Sequence, residues 1–206
     1  DPVEGLTLVD TGLPGQEGLI QDAIESEGFR FADLTKIVIS HQDLDHVGSL
    51  YALKEMTNAT VFAYAAEIPY IDGTLPPFKL PPPERLAENP EFADMLKGLK
   101  RASVDKALIE NEVVPGAAGA VVIPTPGHTR GHISLYFPLT KTLIAGDALT
   151  SVNGKLAGPM AMATPDMDEA MKSVKKLAAL DIETIICYHG GVVSENASPQ
   201  LKTLVS

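Results

Sequence analysis

The chain contains one cysteine and no tryptophan in 206 residues. A single thiol, Cys187, cannot form an intramolecular disulfide, so no disulfide framework holds this fold, and a reducing, cytoplasmic compartment is the compatible expectation. Basic residues are scarce as well: 16 Lys and Arg stand against 27 Asp and Glu, for a formal net charge of -11. Such a surface repels nucleic acid and anionic membranes, so neither is expected as a partner. A small anionic molecule stays open, because bound cations reverse the sign locally. No run approaches the roughly 18 apolar residues that a membrane-spanning helix needs, and the first residues do not read as a leader. No Gly-x-Ser-x-Gly sequence occurs, which turns the reading away from hydrolases with a nucleophilic serine elbow.

Hydrophobic residues make up 45% of the chain, enough to build a full core in one domain over residues 1–206. Apolar runs predict strands at 6–10, 35–40, 60–64, 121–125, 132–137, 142–146 and 184–187. Between them, helical spacing predicts helices at 16–27 (Leu19, Ile20, Ala23 and Ile24 on one face), after residue 46 (Val47, Leu50, Leu53, Met56), at 91–102, at 167–180 behind Pro165 and Asp166, and at 199–205. Asp33 is placed to cap the turn before the second strand. Ile68 to Pro90, with Pro81, Pro82 and Pro83, is expected to be irregular. Strands alternating with helices argue an α/β layered domain.

The chemistry concentrates at strand ends. Ser40-His41-Gln42-Asp43-Leu44-Asp45-His46 places two histidines and two carboxylates within six positions, between a strand and a helix. His128, Asp147 and His189 each follow a further strand-like run. Taken singly, each has an ordinary structural explanation: a hydrogen-bonded histidine, or an aspartate in a turn or cap. Repetition of one chemical type at successive strand ends favours metal ligation, since imidazole and carboxylate together suit zinc, iron and manganese. Seven donors exceed one tetrahedral ion and suffice for two.

Asp10-Thr11-Gly12 after an early strand, the His41–His46 cluster, Thr125-Pro126-Gly127-His128-Thr129-Arg130-Gly131-His132, Gly146-Asp147 and His189 resemble, in order, the motifs of the metallo-β-lactamase fold superfamily of metallohydrolases, which includes glyoxalase II and lactonase-like enzymes. The resemblance covers nearly the whole chain. It implies a four-layer αβ/βα sandwich with metals at one edge of two sheets. It also implies one ion held by His41, Asp43 and His128, a second held by Asp45, His46 and His189, and Asp147 bridging them. Asp43 departs from the pattern, standing where the family's His-x-His-x-Asp-His motif has its second histidine. A carboxylate there either hardens the site towards iron or manganese or, if it falls short, weakens it. Two divalent ions are implied, zinc first, with iron or manganese as alternatives. His132 belongs to the motif as a support of the His128 loop and not as a ligand. The family carries one or two strands ahead of the Leu6 strand, so the first strand is expected either to be missing or to be supplied differently.

Two ions about 3.5–4 Å apart hold a bridging hydroxide and polarise the bond it attacks. Asp45 is the candidate catalytic residue, orienting that hydroxide and passing its proton to the leaving group. The implied activity is metal-dependent cleavage of a small carboxylic ester, lactone or thioester. A dedicated glyoxalase-type thioesterase carries a further C-terminal helical region, which the 17 residues after His189 are not expected to supply. The insertion Ile68–Val114, with Pro77, Phe78 and Leu80, is expected to overhang the metals and set substrate choice, with a surface loop as the bland alternative. Flavodiiron proteins also carry a carboxylate, Glu, at the position of Asp43. A di-iron oxidoreductase needing a separate electron-donor partner is therefore the second reading, and a binding-only member of the family the third. The oligomeric state is open, a homodimer being compatible.

Overall fold

The computed structural model describes residues 5–206. The expectation of a missing first strand falls ahead of these and lies outside the described residues. The chain divides into two compact units: the first runs to Ala63 and resumes over Glu67–Ala107, and the second holds Tyr64–Ala66 and Leu108–Ser206.

The first unit is built on the sheet β1 (Leu6–Val9), β2 (Leu34–Ile39), β3 (Thr60–Tyr64), β4 (Lys106–Leu108), in that order. β1 and β2 pair in parallel, with Leu8 opposite Ile37, and β2 and β3 also pair in parallel, with Val38 opposite Phe62. Parallel strands need crossovers, and helices supply them. α1 (Glu17–Ser26) joins β1 to β2, while α2 (Leu44–Val47) and α3 (Leu50–Thr57) join β2 to β3. Ile37, Ile39, Val61 and Ala63 from the strands form one cluster with Val47, Leu50 and Leu53 from the helices. β2 is buried at Ile37, Val38 and Ile39 in succession, the continuous apolar run typical of a parallel strand. The predicted faces need correction at two points. Ile20 packs against the cluster, but Leu19 is 66% exposed, and Met56 lies beyond the buried stripe at 52% exposed. Segment 68–90 is also less irregular than expected, because α4 (Ile68–Ile71) and α5 (Pro83–Glu88) form within it. Each of these, and α6 (Pro90–Gly98), has a proline in its first two positions, where the missing N–H costs nothing and the fixed φ is already helical. α6 stops at Gly98, short of the predicted boundary at residue 102.

The second unit carries a five-stranded sheet in the order β11 (Gly191–Val193), β10 (Thr184–Cys187), β7 (Thr142–Gly146), β6 (Ile133–Phe137), β5 (Val121–Pro124), with a separate hairpin of β8 (Thr150–Val152) and β9 (Lys155–Ala157). β10 and β7 run parallel; β5, β6 and β7 form an antiparallel meander, and β10 and β11 a hairpin. α7 (Met167–Leu177) and α8 (Ala197–Thr203) contribute to its core. In α7 the buried positions Ala170, Ser173, Val174 and Leu177 follow helical spacing. Asp166 caps the helix by accepting the Glu169 N–H at 2.9 Å, and Lys175 and Lys176 complement the dipole in the last turn.

The loop that carries His128 is pressed against the start of α7. Asp166 N–H donates to Gly127 O at 3.2 Å, and Ser173 Oγ donates to Pro126 O at 2.8 Å. Gly127 has φ 130°, and a Cβ there would lie 2.3 Å from the Ala170 backbone nitrogen. Both the backbone conformation and the contact demand glycine. Gly127→Ala is therefore expected to destabilise the protein by about 2 kcal/mol or more, a mechanism of backbone strain and overlap, read as a fall of roughly 4–8 °C in Tm for a chain of this size. An unchanged Tm would show that the loop can move off the helix.

Candidate metal centre

In the first unit, the end of β2 turns at Ser40 and delivers His41 to Asp43 ahead of α2, on which Asp45 and His46 ride. His41 and His46 are buried and their rings lie 3.9 Å apart, centroid to centroid. Their orientation is dictated by Asp10, a buried carboxylate whose backbone takes the left-handed value φ 61°. Asp10 Oδ1 accepts the Ser40 N–H at 2.8 Å, and Oδ2 accepts the Ser40 hydroxyl at 2.7 Å. The same Oδ2 lies 2.8 Å from His46 Nδ1. A carboxylate here is an acceptor, so His46 Nδ1 carries the proton. The Ser40 hydrogen is committed to Asp10, so Ser40 Oγ must accept from His41 Nδ1, 3.0 Å away. Both rings are thereby set in the tautomer that presents Nε2 as a ligand, as metal-binding histidines require. Thr11 doubles the hold: its N–H and its hydroxyl both donate to His46 O at 2.8 Å.

The carboxylates lie beside these nitrogens. Asp43 Oδ2 is 3.4 Å from His41 Nε2, and Asp45 Oδ2 is 3.8 Å from His46 Nε2. Asp43 occupies the N-cap position of α2 but makes no side-chain cap hydrogen bond, which removes its ordinary structural role. Lys79 Nζ reaches Asp43 Oδ2 at 2.5 Å. Gln42, between the ligand candidates, is gripped by the buried Glu67, whose Oε2 accepts the Gln42 N–H at 3.0 Å and its side-chain amide at 3.3 Å. Gln42 Oε1 then accepts the Phe78 N–H at 2.7 Å.

In the second unit, His128 lies between β5 and β6, Asp147 directly after β7, and His189 in the turn between β10 and β11. His128 Nε2 and His189 Nε2 approach the same oxygen, Asp147 Oδ2, at 3.3 and 3.4 Å. These separations exceed the usual 2.7–3.2 Å of an N–H···O bond. One carboxylate oxygen thus lies beside an imidazole nitrogen of each histidine, and these are donor types that a divalent cation takes. The residues therefore fit a metal ion of the type that nitrogen and oxygen donors hold.

His132 is the residue that aims Asp147. Its Nε2 accepts the Asp147 N–H at 3.0 Å, so its proton sits on Nδ1, 2.8 Å from Thr125 Oγ1. Thr125 Oγ1 lies 3.0 Å from Ser134 Oγ, and Ser134 donates to Ala145 O at 3.0 Å. Every hydrogen in that chain thus has one direction. The support role expected for His132 holds, but its partner is the Asp147 backbone as well as the His128 loop, which the Thr125 N–H closes onto His132 O at 2.8 Å. Cys187 packs in the buried core of the second unit, and that burial, with a smaller contribution from the Asp147 charge, pushes its thiol up to about 12.

Five of the seven predicted ligands thus occupy loops that follow strands and two, Asp45 and His46, ride on the short helix α2; four lie in the first unit and three in the second. Sequence reasoning missed Asp10, Ser40, Glu67, Thr125 and Lys79 as working residues. Asp10 had a signal, an acid closing a strand ahead of Thr-Gly. Lys79 had none.

This donor chemistry, on strand-end loops of an α/β fold, is that of a metallohydrolase. The profile of the metallo-beta-lactamase superfamily matches residues 2–189, and the chain belongs to that superfamily. It is 32% identical over 202 residues to the probable metallo-hydrolase YflN of Bacillus subtilis (strain 168), covering 89% of this chain and 74% of that protein. It is likewise 32% identical over 169 residues to a hydroxyacylglutathione hydrolase of Fuscovulum blasticum, covering 82% of this chain and 51% of that enzyme. The chain thus spans about half the length of this second relative. Among solved structures it resembles the metallo-beta-lactamase family protein TTHA1429 from Thermus thermophilus, with a TM-score of 0.72 at 21% identity over 98% of this chain and 70% of that one. It also resembles BJP-1, a subclass B3 metallo-beta-lactamase of Bradyrhizobium japonicum, with a TM-score of 0.67 at 24% identity over 92% and 68%. The expected fold class is therefore the fold of this chain. No helix among the described residues is long and apolar enough to cross a membrane.

Replacing the central acceptor tests the tautomer argument. Asp10→Asn substitutes one amide donor where three donors converge, so the His46 ring loses its partner. Metal affinity, measured by chelator competition, is expected to fall about 10–100-fold, the usual cost of losing such a support, with the folded far-UV circular dichroism retained. Undiminished affinity would mean that the rings are oriented by something else.

Proposed function

We propose that the chain is a metal-dependent hydrolase of a small carboxylic ester, lactone or thioester. In this proposal His41, Asp43 and His128 hold one divalent ion, Asp45, His46 and His189 hold a second, and Asp147 is shared. The observation that carries it is the approach of His128 and His189 to one oxygen of Asp147. Zinc is the first expectation for so imidazole-rich a set, and Asp43 leaves room for iron or manganese.

Bound divalent ions supply an acidified water and a polarised carbonyl. The remaining work falls to the chain's own residues. Asp10 and Ser40 keep His41 and His46 presenting Nε2, and His132 keeps Asp147 in place, so no reorganisation is needed when the reaction begins. Asp45, whose side chain is one-third exposed, is the carboxylate that can meet both water and substrate. Its Oδ2 takes the proton of the attacking water and returns it to the leaving oxygen or sulfur.

A thioester heads the substrate classes because curated relatives at 30–33% identity, such as those of Cereibacter sphaeroides and Bartonella tribocorum, are hydroxyacylglutathione hydrolases. The segment after β3 supports a role in selection: its residues Phe78 and Lys79 are fastened to Gln42 and Asp43 within the first unit. The di-iron oxidoreductase reading is set apart from the hydrolases by the carboxylate at Asp43 alone, and the curated relatives at these identities are named as hydrolases.

Asp45→Asn is expected to lower kcat at least ~100-fold on whichever ester, lactone or glutathione thioester the wild type accepts, while His132→Ala lowers Tm and costs less in kcat than Asp45→Asn. The reverse ranking would exchange the two roles. Replacing residues 74–88 by a short Gly/Ser link is expected to leave metal bound and to change relative kcat/KM values across that panel by ~10-fold or more, the scale on which pocket walls discriminate. Identical rankings would make the segment a surface loop. A wild type that binds divalent metal yet cleaves no member of the panel would overturn the proposed function.

A further inference from the structure

Asp43 is asked to serve two cations through one atom. Its Oδ2 lies 3.4 Å from His41 Nε2, the nitrogen that the Ser40–Asp10 pair presents as a ligand, and 2.5 Å from Lys79 Nζ. The lysine arrives by a built path. Glu67 is buried and holds Gln42, Gln42 holds the Phe78 backbone, and Lys79 is the next residue. Two consecutive residues of the ligand cluster, 42 and 43, therefore grip two consecutive residues of the insertion, 78 and 79. The Lys79 side chain is only 16% exposed, so this is no surface pair swinging in solvent.

We infer that Lys79 is an internal competitor for the metal position that includes Asp43. An ammonium on Oδ2 engages the oxygen that lies beside His41 Nε2, and its charge offsets the extra negative charge that Asp43 brings in place of a neutral imidazole. A divalent ion entering there must displace Lys79 from Oδ2 and work against its charge. The Asp43 position is consequently the weaker of the two, filled reversibly, and Lys79 sets how weak. This rests on the two-ion reading above and adds a residue that reading does not contain.

The test measures metal and needs no substrate. Zinc and, separately, manganese are titrated into metal-free wild type, Lys79→Met and Lys79→Arg against a chromophoric chelator. The expected result is that Lys79→Met tightens the weaker site at least tenfold, while Lys79→Arg, which keeps the charge, stays within threefold of wild type. In the wild type itself, acetylation of Lys79 by a small activated ester, followed by mass spectrometry, is expected to rise at least fivefold as the second equivalent of metal binds, because displacement uncovers the amine. That readout holds even if a variant fails to fold. Two equivalents bound with neither Lys79→Met nor the acetylation rate responding would overturn the competitor role and leave the hydrolase proposal standing. Looser binding in Lys79→Met would overturn it too, making Lys79 a prop for Asp43. A wild type that takes up neither metal would overturn both.

Discussion

Asp10 stands at the end of the first strand in a backbone conformation that aspartate tolerates better than most residues but rarely adopts, and from there its two oxygens collect three donors. The position of the Ser40 hydroxyl, the protonation of His46 Nδ1 and, one step removed, the protonation of His41 Nδ1 all follow from that convergence. Were Asp10 shifted by one residue, β1 would present its side chain to the opposite face, and two buried imidazoles 3.9 Å apart would lose the carboxylate that orders their protons. The strained φ is thus explained by what it serves. The second unit solves the same problem with a different part: a neutral imidazole, His132, accepts from the backbone of Asp147 and leaves that carboxylate turned towards His128 and His189.

The long apolar strands were legible because each spans four residues or more between polar turns. β2, β3, β5, β6, β7 and β10 all formed within a residue or so of their predicted ends. β4, β8, β9 and β11 are three residues each, too short for any periodicity to show, and owe their existence to neighbours already in place. Prolines misled in the segment after β3. Read as breakers, they instead open α4, α5 and α6, since a proline interrupts a helix it sits inside and favours one it begins. The Leu19 face failed because α1 uses only part of its apolar surface, and spacing alone does not say which part.

For the candidate centre, the seven ligand types were visible because nitrogen and oxygen donors at strand ends are rare enough to stand out as a set. Their supports were not, because Ser40, Thr125 and Ser134 are ordinary residues whose importance lies in which hydrogen they give and to whom. Lys79 was invisible for a plainer reason. It lies far from Asp43 along the chain in a stretch without pattern, and only the Gln42–Glu67 and Gln42–Phe78 bonds bring it there.

The polar file behind Asp147 has a further meaning when followed to its end. Asp147 N–H gives to His132, His132 to Thr125, Thr125 to Ser134, and Ser134 to the carbonyl of Ala145. An amide N–H at one terminus does not release its proton, and a carbonyl at the other does not keep one. The file is therefore an electrical dead end: it transmits rigidity and conducts nothing. A proton set free beside Asp147 therefore finds no passage into the interior along this file.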